Sequence, residues 1–385
     1  MLPLSPTPAQ LSALRRRFPT LHERTYFATQ CLGPVPEEAF ADLDDYRRTL
    51  LLRNRALPQW LERMEELFGL VETLLGAPAG SVALAPSATA AQASLAATLQ
   101  PAAGRDRIVM TALDFHSSRY VWAAQAQRGF SIVEVPATAD ATLPAARLIA
   151  ELDERVAVVT LAHVSPRTGA LADIDAITAA AHAVGARVVV DAYQAVGVVP
   201  IDVARSRVDA LVGGTHKWLC GGGTGLAFAY VRPDWAATLA PAYPGWMAHA
   251  DLLGFERTFR PHDGARRLQQ GVPALEPIYT ARAGLRFVAE VGVEAIRARN
   301  LALSARLLEG IAALGLRTLT PVQDARRGGM VVVDVDDGPA VVDALDRRGI
   351  DVDYRPGAGV RMSPHYCTSE EDCDQLLAAL RDVLR

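Results

Sequence analysis

The amino-acid sequence predicts an α/β protein, with a mainly parallel central sheet flanked by helices and a smaller α+β domain after it. Three observations lead there. Between residues 81 and 213, short apolar runs alternate with stretches of helical apolar spacing, the pattern of strand–helix units that build a parallel sheet. Beyond about residue 275 the alternation stops and two long helical stretches take over. The residues that stand out against this pattern, Ser87, Phe115, His163, Asp191 and Lys217, fall where apolar runs end. Open parallel sheets bind ligands beyond the carboxyl ends of their strands.

Taken in order, residues 8–18 read as a short amphipathic helix, 25–30 as a strand and 32–36 as a turn. Apolar residues recur at helical spacing over 37–51 and 57–75. Residues 81–85 form a strand, and Pro86-Ser87-Ala88-Thr89 leads into an Ala-rich helix ending near residue 99. Strands follow at 107–110, 131–135, 156–161, 187–191 and 210–213, with helices at 117–128, 143–152 and 174–184. The last part reads as helices at 277–290, 294–314, 339–348 and 370–384, with strands at 330–335 and 360–363. The expected division is an N-terminal segment, 1–45, packed with the small domain, a large domain, 46–275, and a small domain, 276–385.

Half of the 385 residues are apolar, enough for a sizeable core, and the formal charge is −4 with both signs spread along the chain. That balance points away from nucleic acid and from acidic membrane surfaces. No apolar run reaches transmembrane length, and Met1-Leu2-Pro3-Leu4-Ser5-Pro6 lacks a signal-peptide pattern. The four cysteines, Cys31, Cys220, Cys367 and Cys373, show no paired ligand spacing. A cytoplasmic protein with neither structural disulfides nor a metal site is expected. Trp60, Trp122 and Trp235 read as core, Arg15-Arg16-Arg17 as a solvated helix face, and His163 and His249 as neighbours of the cleft.

The chemistry gathers at Gly213-Gly214-Thr215-His216-Lys217-Trp218-Leu219-Cys220-Gly221-Gly222-Gly223-Thr224-Gly225. Of 39 Lys and Arg residues, only Lys217 is lysine. Arg serves as a surface cation equally well, but only an amine sheds its proton and forms a Schiff base. Lys217 follows an apolar run and precedes a glycine-rich loop, a place where functional groups are mounted. Asp191 ends the apolar run 187–191, and a buried carboxylate is costly unless a cation faces it. Lys217 is one candidate for that cation. A protonated pyridine nitrogen is another, and it would make the ring an electron sink. Ser87, before the Ala-rich helix, is either a plain cap or part of an anion site made by free N–H groups and the helix dipole.

These motifs resemble the class-V aminotransferase family of fold type I pyridoxal phosphate enzymes, and within it the kynureninases, from about residue 25 to the C-terminus. The most specific part is Asp191-Ala192-Tyr193-Gln194-Ala195-Val196-Gly197 together with Thr215-His216-Lys217-Trp218-Leu219. The resemblance implies pyridoxal 5'-phosphate as cofactor, Lys217 as the Schiff-base lysine, Asp191 at the pyridine nitrogen and Gln194 by the phenolic oxygen. It implies phosphate contacts from Ala88, Thr89, Thr215 and His216, and stacking of Phe115 on the ring. Ser165, in a His163-to-Gly169 segment similar to HVN-x-x-TG, and Arg361, in a strand similar to the carboxylate-clamping one, are the implied substrate contacts. A guanidinium binds a carboxylate through two parallel hydrogen bonds. Pro244-Gly245-Trp246-Met247-Ala248-His249 is similar to the GW-x-x-H of kynureninases. It implies a homodimer with shared active sites, in which Trp246 reaches the neighbour's phosphate. Asp353-Tyr354-Arg355 resembles a D-x-R ion pair.

Departures from the kynureninase pattern bear on the reaction. His216 stands where kynureninases carry Tyr, Phe115-His116-Ser117-Ser118 lacks the acid of an FPTD-like segment, and Val272 replaces a polar residue before Pro273. A desulfurase is disfavoured because no cysteine lies between Cys220 and Cys367. The leading expectation is transamination of an α-amino acid. A kynureninase-type cleavage of a Cβ–Cγ bond is the alternative, and β-elimination or oxidative chemistry on the same cofactor is a third.

Overall fold

The computed structural model describes residues 6–384; the signal-peptide reading falls mostly on residues 1–5, which lie outside them. The described residues form twelve strands: β1 (Thr25–Tyr26), β2 (Val82–Ala85), β3 (Arg107–Thr111), β4 (Ser131–Val135), β5 (Val156–Ala162), β6 (Arg187–Asp191), β7 (Ala210–Gly214), β8 (Ala227–Val231), β9 (Val331–Val333), β10 (Ile350–Asp351), β11 (Asp353–Arg355) and β12 (Gly359–Met362). Seven of them form the central sheet in the order β2-β8-β7-β6-β5-β3-β4. Strands β3 to β7 pair in parallel, and β8 runs antiparallel to both β2 and β7.

Strand β6 shows why both faces of this sheet are covered. Its side chains alternate, so Val188 and Val190 enter one core cluster while Val189 enters another with Leu95, Trp122 and Trp235. Burying each such valine contributes roughly 1.5–3 kcal/mol. The helices Ala88–Ala97 and His116–Ala123 lie on the Val189 face. Register sets Asp191 between Ala162 of β5 and Val212 of β7, at the carboxyl end of the sheet.

The C-terminal part holds the antiparallel sheet β11-β12-β9 against the helices Val293–Ala313, Gly338–Asp346 and Glu370–Val383, around a third core cluster. The N-terminal chain returns to it. Strand β1 pairs in parallel with β10, Ala28 bridges Ser363, and Arg24 binds Asp351 through Nε at 2.6 Å.

Several expected elements differ. The strand at 25–30 shrinks to Thr25–Tyr26, and the helix at 143–152 to Ala145–Ile149, whose first turn follows Pro144. Strands β8, β10 and β11 were not expected. Strand β8 is a run of only five residues behind the glycine loop, too short to separate from that loop by periodicity. Trp122 and Trp235 are buried, as a core role requires, while Trp60 is half-buried and packs on the core edge. All four cysteines are free, and no described helix is long and apolar enough to cross a membrane.

The helix Leu275–Val291 lies directly on the loop that carries Lys217. A Cβ on Gly284 would sit 2.1 Å from Cys220 O and 2.4 Å from Leu219 O, both backbone atoms that cannot swing aside. Gly284→Ala is therefore expected to lower unfolding stability by about 1–3 kcal/mol. Gly69→Ala, on a helix where nothing lies within 4 Å, is expected to raise it by about 0.4–1 kcal/mol. Urea unfolding of the two variants beside the parent checks both signs.

Candidate active site

Beyond Gly214 the chain turns tightly. Cys220 adopts a positive φ of 51°, its N–H bonds to Lys217 O at 2.9 Å, and the Gly221 N–H bonds to Thr215 O at 2.8 Å. The turn sets Lys217 in the cleft above the sheet. Its Nζ lies 4.7 Å from the centroid of the Tyr193 ring. Burial pushes the Lys217 amine down to about 8, against the pull of Asp191 and Cys31. About a tenth of the residue is thus a neutral nucleophile at pH 7, far more than for an exposed lysine.

Asp191 shares the face of Val189, so two helices reach it. Ser118 Oγ donates to Asp191 Oδ2 at 2.8 Å, Gln92 Nε2 donates to the same oxygen at 3.3 Å, and the Tyr193 N–H donates to Oδ1 at 3.0 Å. Trp122 Nε1 donates to Gln92 Oε1 at 2.8 Å and fixes which end of that amide faces the carboxylate. Asp191 is 9 % exposed, and among the described residues no cation lies within ion-pair distance of it.

Two adjoining cavities meet here. The inner one, about 230 Å³, is lined by Ser87, Ala88, Thr89, Asp191, Tyr193 and His216 among others. The outer one, about 570 Å³, is lined by residues that include Gln30, Cys31, Arg167, Arg355 and Arg361. Phe115, Pro166, Gln194 and Lys217 line both. Ser87 caps the helix Ala88–Ala97 through Ala90 N at 3.1 Å, and the amides of Ala88 and Thr89 belong to the first turn, which has no internal acceptors. Burial and Lys217 hold His216 down to about 4, so its ring is neutral. The Tyr193 hydroxyl and His216 Nδ1 share a hydrogen bond of 3.2 Å, which orients the ring toward the cavity it lines.

Residues 55–370 match the model of the family described as aminotransferase class-V. The chain belongs to this family. Curated relatives of this class-V enzyme include the uncharacterized aminotransferase YcbU of Bacillus subtilis (strain 168), 30% identical over 93% of this chain and 94% of its own. The kynureninase of Pseudomonas fluorescens is 29% identical over 97% and 92%, and that of Deinococcus radiodurans 30% over 98% and 96%. Among solved structures, a cysteine desulfurase from Thermococcus onnurineus NA1 superposes with a TM-score of 0.86 at 21% identity, covering 97% of this chain and 98% of its own. The cystine C–S lyase C-DES does so with 0.86 at 24%, covering 95% and 99%. At such identities these two speak to the fold alone, which is that of fold type I enzymes.

The cofactor of the class-V enzyme is pyridoxal 5'-phosphate, and its inner cavity fits that molecule chemically. A buried carboxylate without a cation costs several kcal/mol, and Asp191 is complementary to a protonated ring nitrogen. At the other side, helix-start amides, hydroxyls and the His216 ring suit a phosphate. The Lys217 amine belongs to the same cavity.

Some residues implied by resemblance stand elsewhere. Ser165 lines neither cavity; its Oγ is taken by the N–H groups of Arg167 at 3.3 Å and Thr168 at 3.4 Å, where it shapes a turn. Thr215 is fully buried and its hydroxyl donates to Leu226 O at 3.4 Å, away from the cavity. Gln194 lines both cavities, but its amide donates to Gln30 O at 3.0 Å and accepts from Trp218 Nε1 at 3.1 Å. Trp246 is 39 % exposed, lines neither cavity and donates to Leu252 O. His163 lines a separate cavity beside Asp202 and Arg326, and His249 bonds to Asp251 O at 2.8 Å within its own loop.

Arg361 faces Asp353 across β11–β12 and pairs with it through Nε. Its Nη1 donates to Pro166 O at 2.9 Å and its Nη2 to Cys31 Sγ at 3.3 Å. Cys31 Sγ donates to Asp353 Oδ2 at 3.0 Å, and burial with that carboxylate raises its pKa and keeps it a thiol. Gln92, Ser118, Tyr193 and Cys31 escaped the sequence reading. Only Tyr193, inside the Asp191 motif, carried a signal.

Because Lys217 is the only lysine, its titration is directly observable. Reductive ¹³C-methylation of the cofactor-free protein is expected to give one lysine resonance with a midpoint near pH 8, as burial dictates, instead of about 10.4 for an exposed lysine. Unfolding in urea should return it to the ordinary value. A native midpoint above 10 would contradict the placement.

Proposed function

We propose that this class-V enzyme is an aminotransferase that acts on an α-amino acid through pyridoxal phosphate held by Lys217. The observation that carries the reading is the position of the single lysine amine, where a cation-free Asp191 and the Arg361 guanidinium share two joined cavities. Asp191 holds the proton on the ring nitrogen, buttressed by Ser118 and Gln92. The amides of Ala88 and Thr89, with His216, bind the phosphate, and Phe115 flanks the ring. Bound there, pyridoxal phosphate would supply an electron sink for the electron pair left at the substrate α-carbon. Arg361 takes the substrate carboxylate through its Nη groups. Lys217, lowered to about 8, removes the α-proton and returns it, since a base works best when its pKa lies near the working pH.

Transamination is favoured over Cβ–Cγ cleavage by what stands at the departing positions. The His216 ring bonds to Tyr193, and the Ser118 hydroxyl bonds to Asp191. Val272 is 53 % exposed and lines neither cavity. The second reading, a kynureninase, is supported by relatives of that name at 29% and 30% identity over most of the chain. A homodimer is part of the proposal: Tyr243 at 72 %, Leu253 at 66 % and Phe255 at 91 % exposure crowd one loop beside Trp246, a patch that a second copy would cover.

Mixing the cofactor-loaded protein with simple amino acids, and separately with kynurenine, tests the reading. The bound-cofactor absorbance should shift to that of its amine form as a keto acid accumulates. Anthranilate release with no such shift would establish the second reading instead. Lys217→Ala should abolish turnover and leave no borohydride-fixed cofactor. In light scattering the active protein should run as a dimer, and a fully active monomer would remove that part.

A further inference from the structure

The outer cavity holds more positive charge than one α-carboxylate requires. Its lining includes the guanidiniums of Arg119, Arg167, Arg355 and Arg361 beside Lys217, with Asp114 as the one carboxylate. The charges behind the lining decide which cations are already matched. Arg119 binds Glu134 through Nη2 at 2.6 Å. Arg355 binds Asp353 through Nη1 at 2.6 Å, and Arg361 shares that same carboxylate. Asp114 faces inward: the Thr111 N–H at 3.0 Å, the Thr111 hydroxyl at 2.8 Å and the Ala162 N–H at 2.6 Å occupy its oxygens.

Arg167 is different. Its only hydrogen bond from the guanidinium is Nη2 to Gly357 O at 2.9 Å, and among the described residues no carboxylate pairs with it. Arg361 donates to Pro166 O, the carbonyl immediately before Arg167, and both arginines line the same cavity. One carboxylate, Asp353, therefore serves two arginines, and Arg167 has none. Two guanidinium charges remain for the occupant. Beside them, the Gln30 side-chain amide is buried and has no partner for either of its polar atoms among the described residues. A polar group entering here would meet the unpartnered Gln30 amide beside arginines that outnumber their carboxylates.

We propose that the substrate is an acidic amino acid, with its α-carboxylate on Arg361 and a second anionic group on its side chain received by Arg167. This deepens the proposed function and rests on it. A carboxylate gains from a guanidinium twice over, through charge and through paired hydrogen bonds. A neutral amide of the same shape keeps the shape and loses the charge.

The test compares L-aspartate with L-asparagine and L-glutamate with L-glutamine on the cofactor-loaded enzyme, in single turnovers followed by the bound-cofactor absorbance. At least one acid is expected to exceed its amide by ten-fold or more in the second-order rate. Arg167→Gln should abolish that margin, and Arg167→Lys should restore part of it, which a loss of folding would not do. Equal rates for acid and amide, or a margin that survives Arg167→Gln, would overturn the acidic-substrate inference while leaving transamination intact. If none of the four amino acids perturbs the cofactor while another simple α-amino acid does, the acidic-substrate inference falls and the proposed function stands; if no α-amino acid does, both fall.

Discussion

A carboxylate taken out of water without a cation is the constraint around which this molecule is arranged. Asp191 accepts hydrogen bonds from Ser118, Gln92 and the Tyr193 amide, and these partners are all neutral. Hydrogen bonds hold the carboxylate in place but leave its charge unmatched, and an unmatched buried charge is costly. The protein sustains that cost in one spot by surrounding it with rigid elements. Strand β6 fixes the backbone, two helices supply the donors, and Trp122 locks the amide of Gln92. Under the proposed function, a positively charged ring nitrogen relieves that cost and turns it into affinity for the cofactor.

The same logic runs outward. Lys217 is kept from full protonation by burial, and His216 is kept neutral by burial and by Lys217. The inner cavity thus concentrates a lone negative charge at one side and neutral donors at the other. The outer cavity reverses the sign, with guanidiniums in excess over carboxylates. An amphoteric cofactor fits the first, and the proposed acidic substrate matches the second. Cys31 lies where Arg361, Arg355 and Asp353 converge. A soft, uncharged donor there bridges the network without cancelling any of its charge.

How much of this could be read from residues alone depended on where each partner lies along the chain. Lys217 was legible because it is chemically unlike every other cation present, and Asp191 because a carboxylate at the end of an apolar strand demands an explanation. The parallel sheet was legible from strand–helix alternation, whereas β8 hid behind a glycine loop. Gln92 and Ser118 were not legible: which face of a helix meets Asp191 depends on the packing of two helices, not on spacing. Cys31 and Asp353 are 322 positions apart, and no local pattern joins them. Ser165 and Thr215 were given roles by resemblance, whereas here their hydroxyls bond to nearby backbone groups and line neither cavity.

The N-terminal strap carries a consequence for biosynthesis. Thr25 pairs beside Ile350 and Ala28 beside Ser363, while Gly33 donates to His216 O at 2.7 Å, so the strap joins the last strands to the lysine loop. Contacts between such distant segments form late, because a long loop must close first. On the ribosome, the central sheet has all its strands once β8 has emerged, yet Cys31 has no Asp353 to bind until nearly the whole chain is made. A truncated translation product would carry Asp191 and Lys217 on a folded sheet and still lack the wall that faces the substrate. The enzyme reaches catalytic competence only when its first segment meets its last.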